Sequence, residues 1–167
     1  MSRELAAAIV IGVTLLILLT MALAWRARLR RDSGLVAPLG VPEHAEVSSR
    51  HEVLYVATTR HDQPLERIAV RPLVYRARGE VTLTDRGVAL CLDGSSTVFL
   101  ASSRLVSADR ATVAIDRVVE PGGLIRVVWL LDDAQPVDSY LRFPNGGDAV
   151  LTELQRLCAA SETGAPA

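Results

Sequence analysis

Residues Leu5 to Trp25 carry no charge, and Arg26, Arg28, Arg30 and Arg31 follow within six positions. The run LAAAIVIGVTLLILLTMALAW is 21 residues long. As a helix it would rise about 31 Å, against a hydrocarbon core of about 30 Å. Gly12, Thr14 and Thr20 are its weak points. Both threonine hydroxyls can return to the helix backbone, which leaves no polar group unpaired in lipid. A buried helix of a soluble protein is usually shorter and keeps a polar face. A cleaved leader is the competing reading, because Ala22-Leu23-Ala24 has the small-x-small pattern of a cleavage site. Against it, Glu4 cancels Arg3, and four arginines directly after the run would hinder translocation. The run also exceeds the usual ~7–15-residue apolar core of such leaders. The expectation is an uncleaved, single-pass anchor.

Basic residues near a span stay on the cytoplasmic side. The short N-terminus is therefore expected outside the cell membrane and the bulk of the chain in the cytoplasm. Trp25 sits where an interfacial aromatic belongs. Contact with the membrane surface is assigned to Trp25, Arg26, Arg28, Arg30 and Arg31. The four arginines would add roughly 4 kcal/mol of attraction to an anionic leaflet, at about 1 kcal/mol each.

All 18 basic residues are arginine, which reads as the coding bias of a GC-rich genome. Charge divides sharply along the chain. Residues 1–31 hold five Arg and one Glu, a net of +4, while residues 32–167 hold 13 Arg against 18 Asp and Glu, a net of −5. An acidic domain is a poor polyanion binder, which argues against nucleic acid and phosphoinositide head groups as main ligands. A local basic patch around Arg71, Arg76 and Arg78 is compatible with that balance. Cys91 and Cys158 are 67 positions apart, without metal-type spacing. They read as separate buried thiols in a reducing compartment; an exported chain could pair them.

The chain divides into a short N-terminus (1–4), the span (5–25), a basic juxtamembrane segment (26–31), a Pro/Gly-containing linker (32–50), one domain (51–161) and a disordered tail (162–167). A flexible linker of that length covers roughly 24 Å root-mean-square. The domain reads as seven strands and one helix. HEVLYVATT places Val53 and Tyr55 on one face and Leu54 and Val56 on the other. EVTLT alternates as a half-buried strand. Asp85-Arg86-Gly87 makes a tight connection into VALCL, and Asp93-Gly94-Ser95-Ser96 turns into TVFLA. One long, bent strand is expected from Arg104 to Val119. Glu120-Pro121-Gly122-Gly123 suits a type II turn. LIRVVWLL and VDSYLRF are the last two strands. In the second, Val137, Leu141 and Phe143 face one way, and Asp138, Tyr140 and Arg142 the other. Trp129 is assigned to the core, its indole N–H near the rim.

A helix is expected after Pro144, capped by Asn145, with Asp148 favouring its N-terminal dipole. Val150, Leu151, Leu154, Leu157 and Cys158 form one apolar stripe at helical spacing. Strands closed by one amphipathic helix follow the pleckstrin-homology (PH) order, in which a seven-stranded, bent antiparallel barrel is plugged at its open end.

Several segments carry a resemblance: Leu54-Tyr55-Val56-Ala57-Thr58-Thr59-Arg60, Leu65-Glu66-Arg67-Ile68-Ala69, Arg78-Gly79-Glu80-Val81-Thr82-Leu83, Ile115 to Leu124, and Val137-Asp138-Ser139-Tyr140-Leu141. The chain resembles small actinobacterial single-pass membrane proteins with a PH-like domain, loosely labelled export or membrane proteins. The resemblance implies that fold and topology; it implies no activity and no site residues.

Chemistry-bearing motifs are sparse. His44, His51 and His61 lack ligand spacing, so no metal is expected. From residue 62 onward there is no His and no Lys, which deprives a Ser or Cys nucleophile of its usual base. Gly94-Ser95-Ser96 is not a nucleophile elbow, and no phosphate loop occurs. Asp132-Asp133 reads as a solvated turn, and Asp116-Arg117 as a cross-strand ion pair beside Arg126. The expected function is a non-catalytic, cofactor-free scaffold that binds a protein partner at the cytoplasmic face, with the bilayer held through residues 5–31. The alternatives are a lipid-recognition module and an accessory subunit of a transport or export complex.

Overall fold

The computed structural model describes residues 3–32, 35, 37–114, 117–118, 123–131 and 135–163. It divides into two compact units, 1–34 and 35–167. The first is a single helix, α1 (Arg3–Asp32), which runs on through the arginine segment. Its stretch Arg3–Ala27 is long and apolar enough to cross a membrane by length and composition. Thr14 donates to Val10 O and Thr20 to Ile17 O, both at 2.8 Å, so the two hydroxyls are satisfied within the helix as expected.

The second unit is mainly β. Its strands are β1 (Val47–Arg60), β2 (Gln63–Arg67), β3 (Ala77–Thr84), β4 (Gly87–Leu92), β5 (Val98–Ala101), β6 (Leu105–Ala111), β7 (Val113–Ala114), β8 (Arg117–Val118), β9 (Leu124–Leu130) and β10 (Pro136–Arg142). Helix α2 (Asp148–Thr163) closes the chain. An antiparallel path runs β5-β4-β3-β1-β10-β9-β6, and β2 adds to β1. The sheet therefore has eight strands where the sequence predicts seven. The extra strand, QPLER, has no apolar alternation, and Leu65 within it is exposed.

Three further expectations are corrected. The strand expected from Arg104 to Val119 ends at Ala111, which pairs with Leu124, the first residue of β9. Beyond that point no β9 backbone remains to pair with, and β7 pairs with β8 as a separate two-stranded ribbon. The linker also gives up much of its length to the fold. β1 starts at Val47, Ala37 is in the core, and Gly40 N–H donates to Thr97 O while Phe99 N–H donates to Pro38 O. Finally, α2 begins at Asp148 instead of directly after Pro144, because Gly146 turns the chain at φ +89° and Gly147 O accepts the first helical N–H, from Leu151. Asn145 is thus not the cap, although Asp148 does occupy the first turn. Glu120, Pro121 and Gly122 of the expected turn, Asp116, Asp132 and Asp133, and the last four residues of the tail lie outside the described residues.

Tight turns follow the glycines. Gly87 has φ +145°, and a Cβ there would lie 2.1 Å from Leu100 O. The β3–β4 connection is accordingly two residues, Asp85 and Arg86. The open path ends at β5 and β6, joined by the single 3-10 turn Ser102–Arg104. α2 packs against β6 and that turn. Val150, Leu154 and Cys158 enter the same core cluster as Val53, Tyr55, Leu83 and Trp129, and Leu151 and Leu157 pack against it. The apolar stripe thus closes the sheet as its spacing predicts.

Candidate functional site

β1 is long enough to serve both halves of the sheet. It pairs with β3 through Tyr55 and with β10 from Leu54 onward. A bulge between Tyr55 and Ala57 changes which side chains face inward. Past it, Thr58 sits opposite Ser139 and Thr59 opposite Asp138. Thr58 and Ser139 therefore enter the core, and Thr59 and Asp138 share the outer face.

The inward pair carries a buried polar chain. Trp129 Nε1 donates to Ser139 Oγ (2.8 Å), and Ser139 Oγ lies 2.8 Å from Thr58 Oγ1. The Tyr55 hydroxyl lies 2.8 Å from both Thr58 Oγ1 and Leu73 O. Each hydroxyl has one proton, and the carbonyl can only accept. A relay from Trp129 through Ser139, Thr58 and Tyr55 to Leu73 O satisfies every member. Trp129 is fully buried, so its N–H is in the interior and not at the rim. Burial pushes the Tyr55 phenol well above its ordinary range.

The outer face carries the candidate site. Tyr140 of β10, Arg126 of β9 and Asp109 of β6 stand in one cross-strand row. Arg126 Nε donates to Asp109 Oδ1 at 3.0 Å, and Nη2 to Oδ2 at 2.7 Å, a two-point bond. That bond, above all, raises the guanidinium's pKa. Two residues along β10, Asp138 is 0% exposed. Its Oδ1 lies 2.7 Å from His61 Nδ1, and its Oδ2 accepts from Asp62 N at 3.2 Å. Arg126 Nη1 is 3.7 Å from Asp138 Oδ2 and 3.7 Å from Asp62 Oδ1. Tyr140 is pushed above the ordinary phenol range, first by burial and then by the Asp138 charge. Asp62, Asp109, Arg126, Asp138 and Tyr140 line a recess of about 350 Å³ together with Pro64, Arg110, Ala111 and Thr112. Arg110 in turn bonds Asp148 of α2.

His61, Asp62 and Asp138 bring three potential ligand atoms within 4.8 Å of one another. The two imidazole nitrogens address different carboxylates, however: Nδ1 faces Asp138, and Nε2 is 3.4 Å from Asp62 Oδ2. Arg126 already supplies a fixed cation to both acids. The donor set therefore reads as an ion network, into which a metal would have to compete with a guanidinium. His61 and Asp138 have the form of a base and its orienting carboxylate, but the second nitrogen meets Asp62 and not a hydroxyl. The arrangement can hold a polar or charged group through fixed carboxylates, a guanidinium and a phenol.

The residues expected at the membrane surface are all on α1. Trp25, Arg26 and Arg30 are exposed there, and Arg28 and Arg31 are on the same helix with side chains outside the description. The outer-face recess was not found by motif. Asp138 alternates with apolar residues and reads as a solvent-facing strand position, and its partner His61 is 77 positions earlier. Asp138 and Tyr140 lie inside one of the resembling segments, and Arg126 is expected beside an ion pair, but no motif joins the three. Cys91 is half-buried on β4, and Cys158 is buried on α2.

Comparison with known proteins adds the following. The profile of a family described as bacterial PH domain-like matches residues 36–155. No curated protein matches the chain. Among solved structures, the C-terminal phosphotyrosine interaction domain of APBB2 from mouse is similar at 10% identity and a TM-score of 0.49, over 72% of this chain and 91% of that one.

Proposed function

From the premise that the chain belongs to the bacterial PH domain-like family, we propose that it is a non-catalytic binding module held at a membrane by α1. Its β unit faces the cytoplasm and presents the Asp138 recess to a protein partner. The arginines that follow Trp25 support this orientation. The observation that carries the reading is the recess itself. Fixed charges line it, its carboxylate Asp138 is fully buried, and His61 behind that carboxylate is held between Asp138 and Asp62. Such a surface is preorganised for polar recognition, and among the described residues it aligns no nucleophile with a base. Tethering to the bilayer raises the local concentration of the module toward any partner in the same membrane.

The test is site-specific photocrosslinking of the full chain in its native membrane. A crosslinker replaces Thr112 in the recess lining or Val106 on β6 away from it. A defined adduct from position 112, absent from position 106 and reduced by Asp62→Asn, supports the reading. The same adduct pattern from both positions, or none from 112, refutes it.

A further inference from the structure

A second surface of the β unit differs from the recess in chemistry. Leu39, Arg71, Pro72, Val74, Tyr75 and the Gly94–Ser96 turn line a cavity of about 370 Å³. Tyr75 is 75% exposed and Leu39 57% exposed, and Val41 beside Leu39 is exposed as well. Among the described residues, no carboxylate lines this cavity, whereas Asp62, Asp109 and Asp138 line the recess. Arg71 is exposed within it, and Arg76 is exposed next to Tyr75. In a domain of net −5, an open surface with an aromatic, two aliphatics and two arginines suits contact with anionic lipid.

Its place in the chain is equally specific. Leu39 follows the last residue of α1 by seven positions, a length of chain that extends at most about 25 Å. Pro38 and Gly40 on either side of Leu39 are fixed by hydrogen bonds to the edge of β5, so Leu39 is held in place on the sheet. The apolar patch thus includes a residue fixed on the sheet within seven positions of α1.

We propose that this face, centred on Leu39 and Tyr75, rests on the surface of the bilayer that α1 crosses. Tyr75 takes the interfacial position that amphipathic aromatics favour, and Arg71 and Arg76 meet the lipid phosphates. The recess, on a different set of elements, is then left for a partner. The inference rests on the reading of α1 as a membrane anchor.

The test uses the full chain carrying Trp25→Phe, reconstituted in phosphatidylcholine–phosphatidylglycerol vesicles with brominated acyl chains. Trp129, fully buried, is the constant background. Single tryptophans are introduced as Tyr75→Trp, Val106→Trp and Leu16→Trp. The expected result is that Trp at position 75 loses most of its emission, as at position 16, while position 106 is unaffected. Quenching at 16 without any at 75, or equal quenching at 75 and 106, overturns the proposal and leaves the anchor standing. Absence of quenching at 16 overturns the anchor and the proposal together.

Discussion

Arg126 and Asp109 face each other in register across β9 and β6, and the guanidinium grips the carboxylate at two points, 3.0 and 2.7 Å. The same guanidinium leans toward Asp138 and Asp62, so one cation serves three acids. Both members of the main pair are partly exposed, and solvent screening discounts its strength. A double-mutant cycle with Asp109→Asn and Arg126→Gln is expected to give a coupling of about 1 kcal/mol in urea unfolding. Arg126→Lys keeps the charge but not the planar fork, and should lose most of that coupling.

The buried relay gives a sharper expectation. Thr58→Val preserves shape but leaves Ser139 and Tyr55 without their shared partner. The cost is expected at about 1–3 kcal/mol, read as a shift in the unfolding midpoint without a change in slope. Thr59→Val, one residue on and opposite Asp138, should leave near-ultraviolet circular dichroism of Trp129 unchanged, because it touches the other face.

Two glycines separate steric need from turn preference. A Cβ at Gly79 would stand 2.1 Å from Cys91 O, a backbone atom, whereas at Gly94 nothing lies within 4 Å. Gly79→Ala must push β3 from β4 and should cost about 3 kcal/mol or more. Gly94→Ala meets only the strain of φ +70°, expected at about 1 kcal/mol. Thermal melts of the two variants side by side check the contrast.

Alkaline pH should weaken the fold through Tyr55 and Tyr140. Burial raises both phenols above the ordinary value of 10.0. Below pH 10 both states keep these protons and nothing is lost. As pH rises past 10 the unfolded chain releases them first, so stability falls, by up to about 1.4 kcal/mol per pH unit for each tyrosine. Tyrosinate absorbance from these residues should therefore appear together with the loss of far-ultraviolet circular dichroism. Tyr140→Phe should flatten the slope.

Much of the β unit was legible because its strands obey simple rules. Val81 and Leu83 alternate as a half-buried strand must, Gly87 marks a turn that only glycine fits, and the stripe from Val150 to Cys158 has helical spacing. The site was much less legible. The bulge at Val56 changes the facing of Thr58 and Thr59, and no residue type announces it. β2 forms because the chain turns at Asp62, in the left-handed region at φ +56°, and pairs back onto β1 despite a polar sequence. Asp138 looks like a surface acid until His61, Asp62 and Arg126 are folded around it. Alternation is a local property, whereas burial of a charge depends on partners far along the chain.

The double role of β1 also sets a schedule for synthesis. Its β3 flank closes with neighbours that follow within a few dozen residues, but Arg60 meets Val137, 77 positions later. At about 5–20 residues per second, that flank waits roughly 4–15 seconds for its strand to be translated. For that interval the nascent chain shows Leu54, Tyr55 and Ala57 on an unpaired edge, where a ribosome-associated chaperone or a neighbouring nascent copy can engage them. Chains interrupted before Pro136 keep that edge permanently, so the C-terminal strand is the step that commits the domain to its fold.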